Sequence, residues 1–153
     1  MKILVISDAW TPQINGVVRT YQNLALALEK LGHQMDVLGP IDCPFHIPMP
    51  FYNDIHLGLF SRKTIKTALM HGGYDRVHIA TEGPMGWAAR KICTQRGISF
   101  TTCYHTHFPD YISIRLTGIF RAFAPIVYKL VLSSVRRFHA PSRTVLVVTP
   151  TLH

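Results

Sequence analysis

Charge is scarce in this chain, and acidic charge is scarcer still. Asp, Glu, Lys and Arg make up 16% of the 153 residues, and eight are acidic. Hydrophobic residues reach 48% and no low-complexity tract occurs, which excludes a disordered segment, a collagen-like chain and a coiled coil. Cysteine is sparse too. Cys43, Cys93 and Cys103 form no CxxC pair, so a disulfide-stapled mini-protein is excluded and a reducing compartment is favoured. Long apolar runs are missing. The longest suspicious stretch, Ile119 to Leu132, is interrupted by Arg121, Pro125 and Lys129 and falls short of the roughly 20 residues of a spanning helix. Met1-Lys2 leads into ILVIS and Asp8 with no signal-peptide h-region of useful length. A soluble, cytoplasmic protein that can touch membranes is expected. The nucleotide fingerprints GxGxxG and GxxxxGK[ST] are both absent, which counts against nicotinamide, flavin and P-loop readings. RNP-like, KH and helix-turn-helix patterns are absent as well, and the basic residues lack interleaved aromatics, so a nucleic-acid partner is not expected.

What is present points to alternating strands and helices. The run ILVIS, Ile3 to Ser7, is apolar throughout, as in a strand covered on both faces. A loop with Pro12 and Gly16 follows. Val17, Tyr21, Leu24, Leu28 and Leu31 then recur at helical spacing, and Gly32 stops the helix. Met35 to Pro40 reads as a second strand, completing a right-handed β-α-β unit. Pro40 to Leu59 carries four prolines and reads as a loop with a short strand near His46 to Pro48. Ser61 caps a helix through Met70, with Ile65 and Leu69 inward and Arg62, Lys63 and Lys66 toward solvent. Tyr74 to Ala80 is a strand, Pro84 to Arg96 a helix ended by Gly97, and Ile98 to Tyr104 a strand. Ile114 to Phe138 is helical with an interruption at Pro125, and Val145 to Thr149 is the last strand. The fold class expected is α/β: one Rossmann-like, doubly wound parallel sheet over residues 1–153.

Such sheets bind ligands outside the carboxyl ends of their strands. That rule selects Asp8 to Gly16, Gly39 to Asp42, Thr81 to Gly86, and Tyr104 to Tyr111. Asn15-Gly16 directly precedes a helix, whose first N–H groups attract anions; a phosphate contact and a plain tight turn are both open there. Glu82 is either a crevice residue or a favourable charge near a helix N-terminus. In CYHTHF, Cys103, His105 and His107 alternate as on one strand face. All three are metal-ligand types, but with no distant fourth ligand the zinc signal is weak, and no metal is expected. His105 at the carboxyl edge is the candidate donor or base.

Lys+Arg 16 against Asp+Glu 8 leaves a net charge of +8, which suits phosphates or an anionic membrane face. Arg115, Arg121, Lys129 and Arg136 fall on one broad side of the helix after Tyr111, opposite Ile119, Phe123, Ile126 and Leu130. That side and the Arg62, Lys63, Lys66 cluster are either solvated faces or surfaces for anionic lipid.

Two long stretches carry a family likeness. MKILVISDAWTPQINGVVRTYQNLALALEKLGHQMDVLGP resembles the start of retaining glycosyltransferases of family 4, in which a strand leads to a (D/E)xxxPxxxGG-type loop and a helix ending in Leu-Gly-His-x-Val. YDRVHIATEGPMGWAARKICTQRGISFTTCYHTHFPDY continues the likeness through an ATEGPxG turn and a YHTxFxxY segment. It runs through essentially the whole chain. Within that family the chain resembles mannosyl- and glucosyltransferases acting on lipid acceptors.

The resemblance implies a GT-B architecture, with this chain as its acceptor-side N-terminal domain and the donor-binding C-terminal domain, with its Arg/Lys pair and E-x7-E motif, absent. It implies hexose transfer from a nucleotide-sugar to a lipid or glycan acceptor, with retention, at the cytoplasmic face of a membrane. The isolated segment is then expected to be inactive. By the same resemblance Gly16 approaches the donor diphosphate, with Asn15 where many members have a first glycine. His105 matches the histidine beside the transferred sugar, and Asp8 and Arg19 lie toward the acceptor. No Asp-x-Asp is present, in keeping with a GT-B enzyme that works without a metal bridge; the nucleotide-sugar is a co-substrate and no cofactor is expected. A stand-alone nucleotide- or phosphate-binding module with a basic surface is the alternative.

Overall fold

A computed structural model describes residues 1–49, 52–104 and 124–147. The elements run β1 (Lys2–Ile6), α1 (Gly16–Lys30), β2 (Gln34–Leu38), a 3-10 turn (Pro40–Asp42), β3 (Phe45–Met49), β4 (Tyr52–Leu59), α2 (Arg62–His71), β5 (Arg76–Ile79), α3 (Pro84–Arg96), β6 (Phe100–Tyr104), α4 (Ala124–His139) and β7 (Thr144–Val147). Five strands form one sheet in the order β2-β1-β5-β6-β7, and every pairing in it is parallel. The sheet order departs from sequence order at β1, where the chain first winds outward to β2 and later returns to β5. A crevice at the strand ends is expected at such a reversal.

The apolar runs are buried on both faces, as parallel strands require. Leu4, Ile6, Val77, Ile79 and Phe100 meet Ile65 of α2, Met85, Ala89 and Ile92 of α3, and Phe138 of α4. Val5 packs on the other face with Tyr21 of α1, bordered by Ile3, Met35 and Val37. Each fully buried aliphatic side chain contributes roughly 1.5–3 kcal/mol. Gly97 ends α3 with φ +65°, and the following Ile98 N–H donates to the Cys93 carbonyl at 2.9 Å, the left-handed stop that glycine permits. Arg90 of α3 donates to the carbonyls of Arg137 and Phe138 at 2.7 and 3.0 Å, tying the end of α4 to the middle of α3.

Four sequence expectations are corrected. The proline-rich stretch from Pro40 to Leu59 holds an antiparallel hairpin, β3 against β4, where one short strand and a loop were expected. Both strands of a lone pair are edges, so Pro48 interrupts no interior ladder. Ser61 does not cap α2 through its side chain. It is buried in the helical conformation, and its carbonyl accepts from Ile65 N–H at 2.9 Å. The stripe on α1 is narrower than expected: Val18 and Tyr21 are buried, while Leu24 and Leu31 are exposed. Leu24 and Leu28 border an open groove of about 700 Å³ with Phe100, Cys103 and Leu146. Among the described residues no helix besides α1 packs on that face of the sheet, so half the stripe finds no partner. Finally, Ile126 and Leu130 are exposed, although the sequence pattern turns them inward. Phe138 is buried and Val127, Val131 and Val135 are half-buried on the same stripe of α4. The stretch 114–123 of the expected helix lies outside the described residues.

Candidate functional site at the carboxyl edge of the sheet

β1 ends at Ile6 and hands the chain to Ser7 and Asp8, both buried. The Asp8 carboxylate crosses to the start of α3. One oxygen accepts from Met85 N–H at 2.9 Å; the other accepts from Gly86 N–H at 3.2 Å and from the Thr81 hydroxyl at 3.0 Å. Asp8 N–H in turn donates to Thr81 Oγ1 at 2.7 Å. The carboxylate thus occupies the orphan donors of the helix N-terminus. Burial pushes its pKa up, and the donors of Met85, Gly86 and Thr81 work against that rise. Two glycines permit this packing. A Cβ on Gly83 would stand 2.4 Å from the Asp8 carboxylate, and one on Gly86 would stand 1.9 Å from the Thr81 carbonyl oxygen.

From Asp8 a relay runs to α1. Gln13, buried, donates from its side-chain amide to the Asp8 carbonyl at 3.1 Å and accepts from Asn15 Nδ2 at 3.2 Å. Asn15 Oδ1 then accepts from Val18 N–H at 3.0 Å, with Asn15 in the extended conformation of an N-cap. Gly16 is the first residue of α1 and is exposed. A methyl added to it would meet nothing within 4 Å. Arg19, one turn into the helix, is exposed as well.

The β2 end is occupied. Trp10 packs directly on Gly39, where an added Cβ would stand 2.7 Å from the Trp10 Cβ, and Asp42 accepts from Gly39 N–H at 2.8 Å. At the β5 end Glu82 reaches His139 of α4, with 3.1 Å between carboxylate and Nε2; both side chains are nearly buried. His139 Nδ1 lies 2.8 Å from the Thr102 hydroxyl, which donates to Ser142 Oγ, and Ser142 donates to the His139 carbonyl. With both hydroxyl protons so placed, Nδ1 donates to Thr102. Glu82 therefore serves an internal contact in this structure.

Residues 14–149 match the family model described as Glycosyltransferase Family 4. This chain belongs to glycosyltransferase family 4. It is also 29% identical over 139 residues to alpha-monoglucosyldiacylglycerol synthase of Acholeplasma laidlawii, an alignment covering 82% of this chain and 34% of the relative. The chain thus spans about a third of the length of that relative. The parallel sheet with helices on both faces is Rossmann-like and consistent with the N-terminal half of a GT-B enzyme.

Seen as a family 4 domain, the edge brings Asp8, Asn15 and Gly16 into one hydrogen-bonded loop and sets Glu82 beside it. His105, His107, Arg115 and Arg121 lie outside the described residues, one position and more beyond Tyr104 at the end of β6. Arg62, Lys63 and Lys66 are exposed on α2, and Lys129 is exposed on α4. Among the described residues no group of three His, Cys, Asp or Glu side chains could hold a metal ion, and no helix is long and apolar enough to cross a membrane. Sequence reading placed Gln13 and Thr81 inside stretches it selected but gave neither a role, and it missed His139. For His139 no local signal exists, because its partner Glu82 is 57 positions away.

Proposed function

We propose that this chain is the acceptor-side, N-terminal half of a retaining glycosyltransferase that moves a hexose from a nucleotide-sugar to a lipid or lipid-linked acceptor. Gly16 is the observation that carries the proposal. The fold does not require a glycine there, since a methyl would meet open space and the backbone has no positive φ. Glycine also costs helix stability relative to alanine. A ligand that must come close to the backbone accounts for its use.

In the proposed reaction the acceptor hydroxyl oxygen bonds to the anomeric carbon as the bond from that carbon to the β-phosphate oxygen breaks. The hydroxyl proton passes to the departing diphosphate. Negative charge develops on that diphosphate, and the free N–H groups of Gly16 and Val17 with the dipole of α1 stabilise it. Asn15, held by Gln13, takes Val18 N–H and fixes the aim of the rest. His105, following β6, is the residue assigned to the transferred sugar. Retention without a protein nucleophile and independence from a metal follow the family resemblance. The donor nucleotide is held mostly by a second domain, and the name of the Acholeplasma relative supports a glycolipid product. The exposed Arg62, Lys63, Lys66 and Lys129, with Arg115 and Arg121, suit a peripheral position on an anionic cytoplasmic membrane face.

Turnover of a labelled nucleotide-sugar with lipid acceptor, measured in a polypeptide that also carries the donor domain, tests the scheme. His105→Ala is expected to lower kcat by about 100-fold or more with little change in donor affinity, and residues 1–153 alone are expected to turn over little or none. Unchanged kcat removes His105 from the mechanism, and robust transfer by the isolated chain contradicts the two-domain reading.

A further inference from the structure

We infer that Glu82 and His139 are positioning residues: their contact sets the carboxyl end of β6 and through it aims His105 at the transferred sugar. The inference rests on the proposed function, which gives His105 that task. His105 follows Tyr104, the last residue of β6. β5 and β6 are neighbours in the sheet, and the His139 ring joins their ends. Its Nε2 lies 3.1 Å from the carboxylate of Glu82, just past β5, and the two side chains are only 10% and 11% exposed. Its Nδ1 lies 2.8 Å from Thr102 Oγ1 of β6. Tyr104 closes on the same ring edge to face, with centroids 5.8 Å apart. Thr102 and Tyr104 share one face of the strand, so one side chain touches both of the last residues on that face, where the chain leaves the sheet.

The hydrogens of this cluster can be counted. Thr102 donates to Ser142 Oγ at 3.2 Å, and Ser142 donates to the His139 carbonyl at 2.7 Å. Nδ1 therefore carries the hydrogen that meets Thr102. A neutral ring would then turn a lone pair from Nε2 toward the carboxylate at 3.1 Å, and the two would repel. One proton lies between them, on the nitrogen or on the oxygen. With it in place every polar atom of the ring is engaged, and the ring is fixed at both nitrogens.

Holding α4 in place does not account for the pair. Arg90 already ties the end of that helix through the Arg137 and Phe138 carbonyls, and Phe138 is fully buried beside it. A buried acid–base pair also adds little net stability, because desolvation offsets its attraction. What it supplies is a single geometry. Glu82 directly follows Thr81, whose hydroxyl donates to Asp8, so the pair links the ligand-binding edge at β1 and β5 to the end of β6. Alignment of β6 against that edge accounts for its place.

Two variants test this. E82M keeps the bulk of the side chain and removes the contact. E82Q keeps the contact, because its amide donates to the bare Nε2 of a neutral ring. In a polypeptide that also carries the donor domain, E82M is expected to lower kcat by about tenfold or more with KM for the nucleotide-sugar little changed, and E82Q is expected to restore kcat. In the 153-residue chain itself, E82M is expected to shift the NMR resonances of the His105 ring, identified by their loss in H105Q, and E82Q to leave them in place. Full kcat or unmoved His105 resonances in E82M overturn the inference and leave the proposed function standing. Loss of kcat in E82Q as deep as in E82M shows that the carboxylate itself is used in transfer, and an unfolded E82M makes the pair a stability element; either result also overturns it. Absence of transfer by the unaltered two-domain polypeptide overturns the proposed function instead.

Discussion

Two helices begin at the same edge of one sheet, each with glycine in its first turn, and their N-termini are completed in opposite ways. α3 receives a carboxylate from another part of the chain: Asp8 accepts from Met85 and Gly86 N–H, and Gly83 and Gly86 are small because the fold fills the space a side chain would need. α1 receives one neutral cap, Asn15, from the residue before it, and the space around Gly16 is empty. Any helix N-terminus can hold an anion. At α3 the protein's own carboxylate uses that capacity, and at α1 the proposed function gives it to a ligand. The same residue type therefore stands in two different settings 70 positions apart: packing requires it in Gly86, and nothing in the fold requires it in Gly16, where the proposed function calls for close approach.

The sharpest way to break the comparison is to treat the glycines alike. Gly86→Ala places a methyl against the Thr81 carbonyl oxygen, a backbone atom that cannot swing aside. A loss of about 3 kcal/mol or more in denaturant unfolding is expected, and a near-neutral result would mean that the start of α3 is looser than described.

Removing the plug is expected to cost less. Asp8→Asn replaces an acceptor facing three donors by an amide that can turn only one oxygen toward them, a loss of about 2 kcal/mol. The pH dependence gives a second readout. In the unfolded chain this carboxyl titrates near its ordinary 3.8, and burial raises it in the fold. The folded state then holds the proton more tightly. The group's contribution to stability is therefore fully present below about pH 4 and is lost as pH rises through the folded value. The stability gap between the unaltered protein and Asp8→Asn is expected to be widest in acid and to narrow toward neutrality. A gap that widens toward neutrality would show the three donors outweighing burial.

How much of this was legible beforehand follows from where each interaction reaches. α3 was readable to the residue, because Pro84 at its start and Gly97 at its end are local backbone signals. The parallel sheet was readable from apolar runs and their spacing. The Asp8 contact to α3 was not, since it joins residues 77 and 78 positions apart, and an aspartate after a strand at a ligand-binding edge reads equally well as a substrate contact. The hairpin escaped because proline counts as a strand breaker only where a ladder continues on both sides. Helix faces were the other failure. Periodicity gives the apolar stripe of α1, yet how much of it is covered depends on what else packs on that side of the sheet, and Leu24 and Leu31 remain in solvent.

The smallest expected change in stability is the most informative about function. Gly16→Ala adds a methyl that touches nothing within 4 Å, at a position whose backbone alanine adopts without strain. The unfolded chain loses freedom and the helix gains propensity, so the variant is expected to be more stable by about 0.5–1 kcal/mol. In a polypeptide carrying the donor domain, the proposed function puts the same methyl in the path of the diphosphate toward Gly16 and Val17 N–H, and turnover is expected to fall by at least about tenfold. Thermal unfolding and a transfer assay on one preparation read both effects. Gain of stability with loss of turnover places a ligand at α1, because no contact within the fold gives the glycine a reason to be there. Gain of stability with full turnover would make Gly16 an accident of sequence. The two helix N-termini would then differ only in how each is capped.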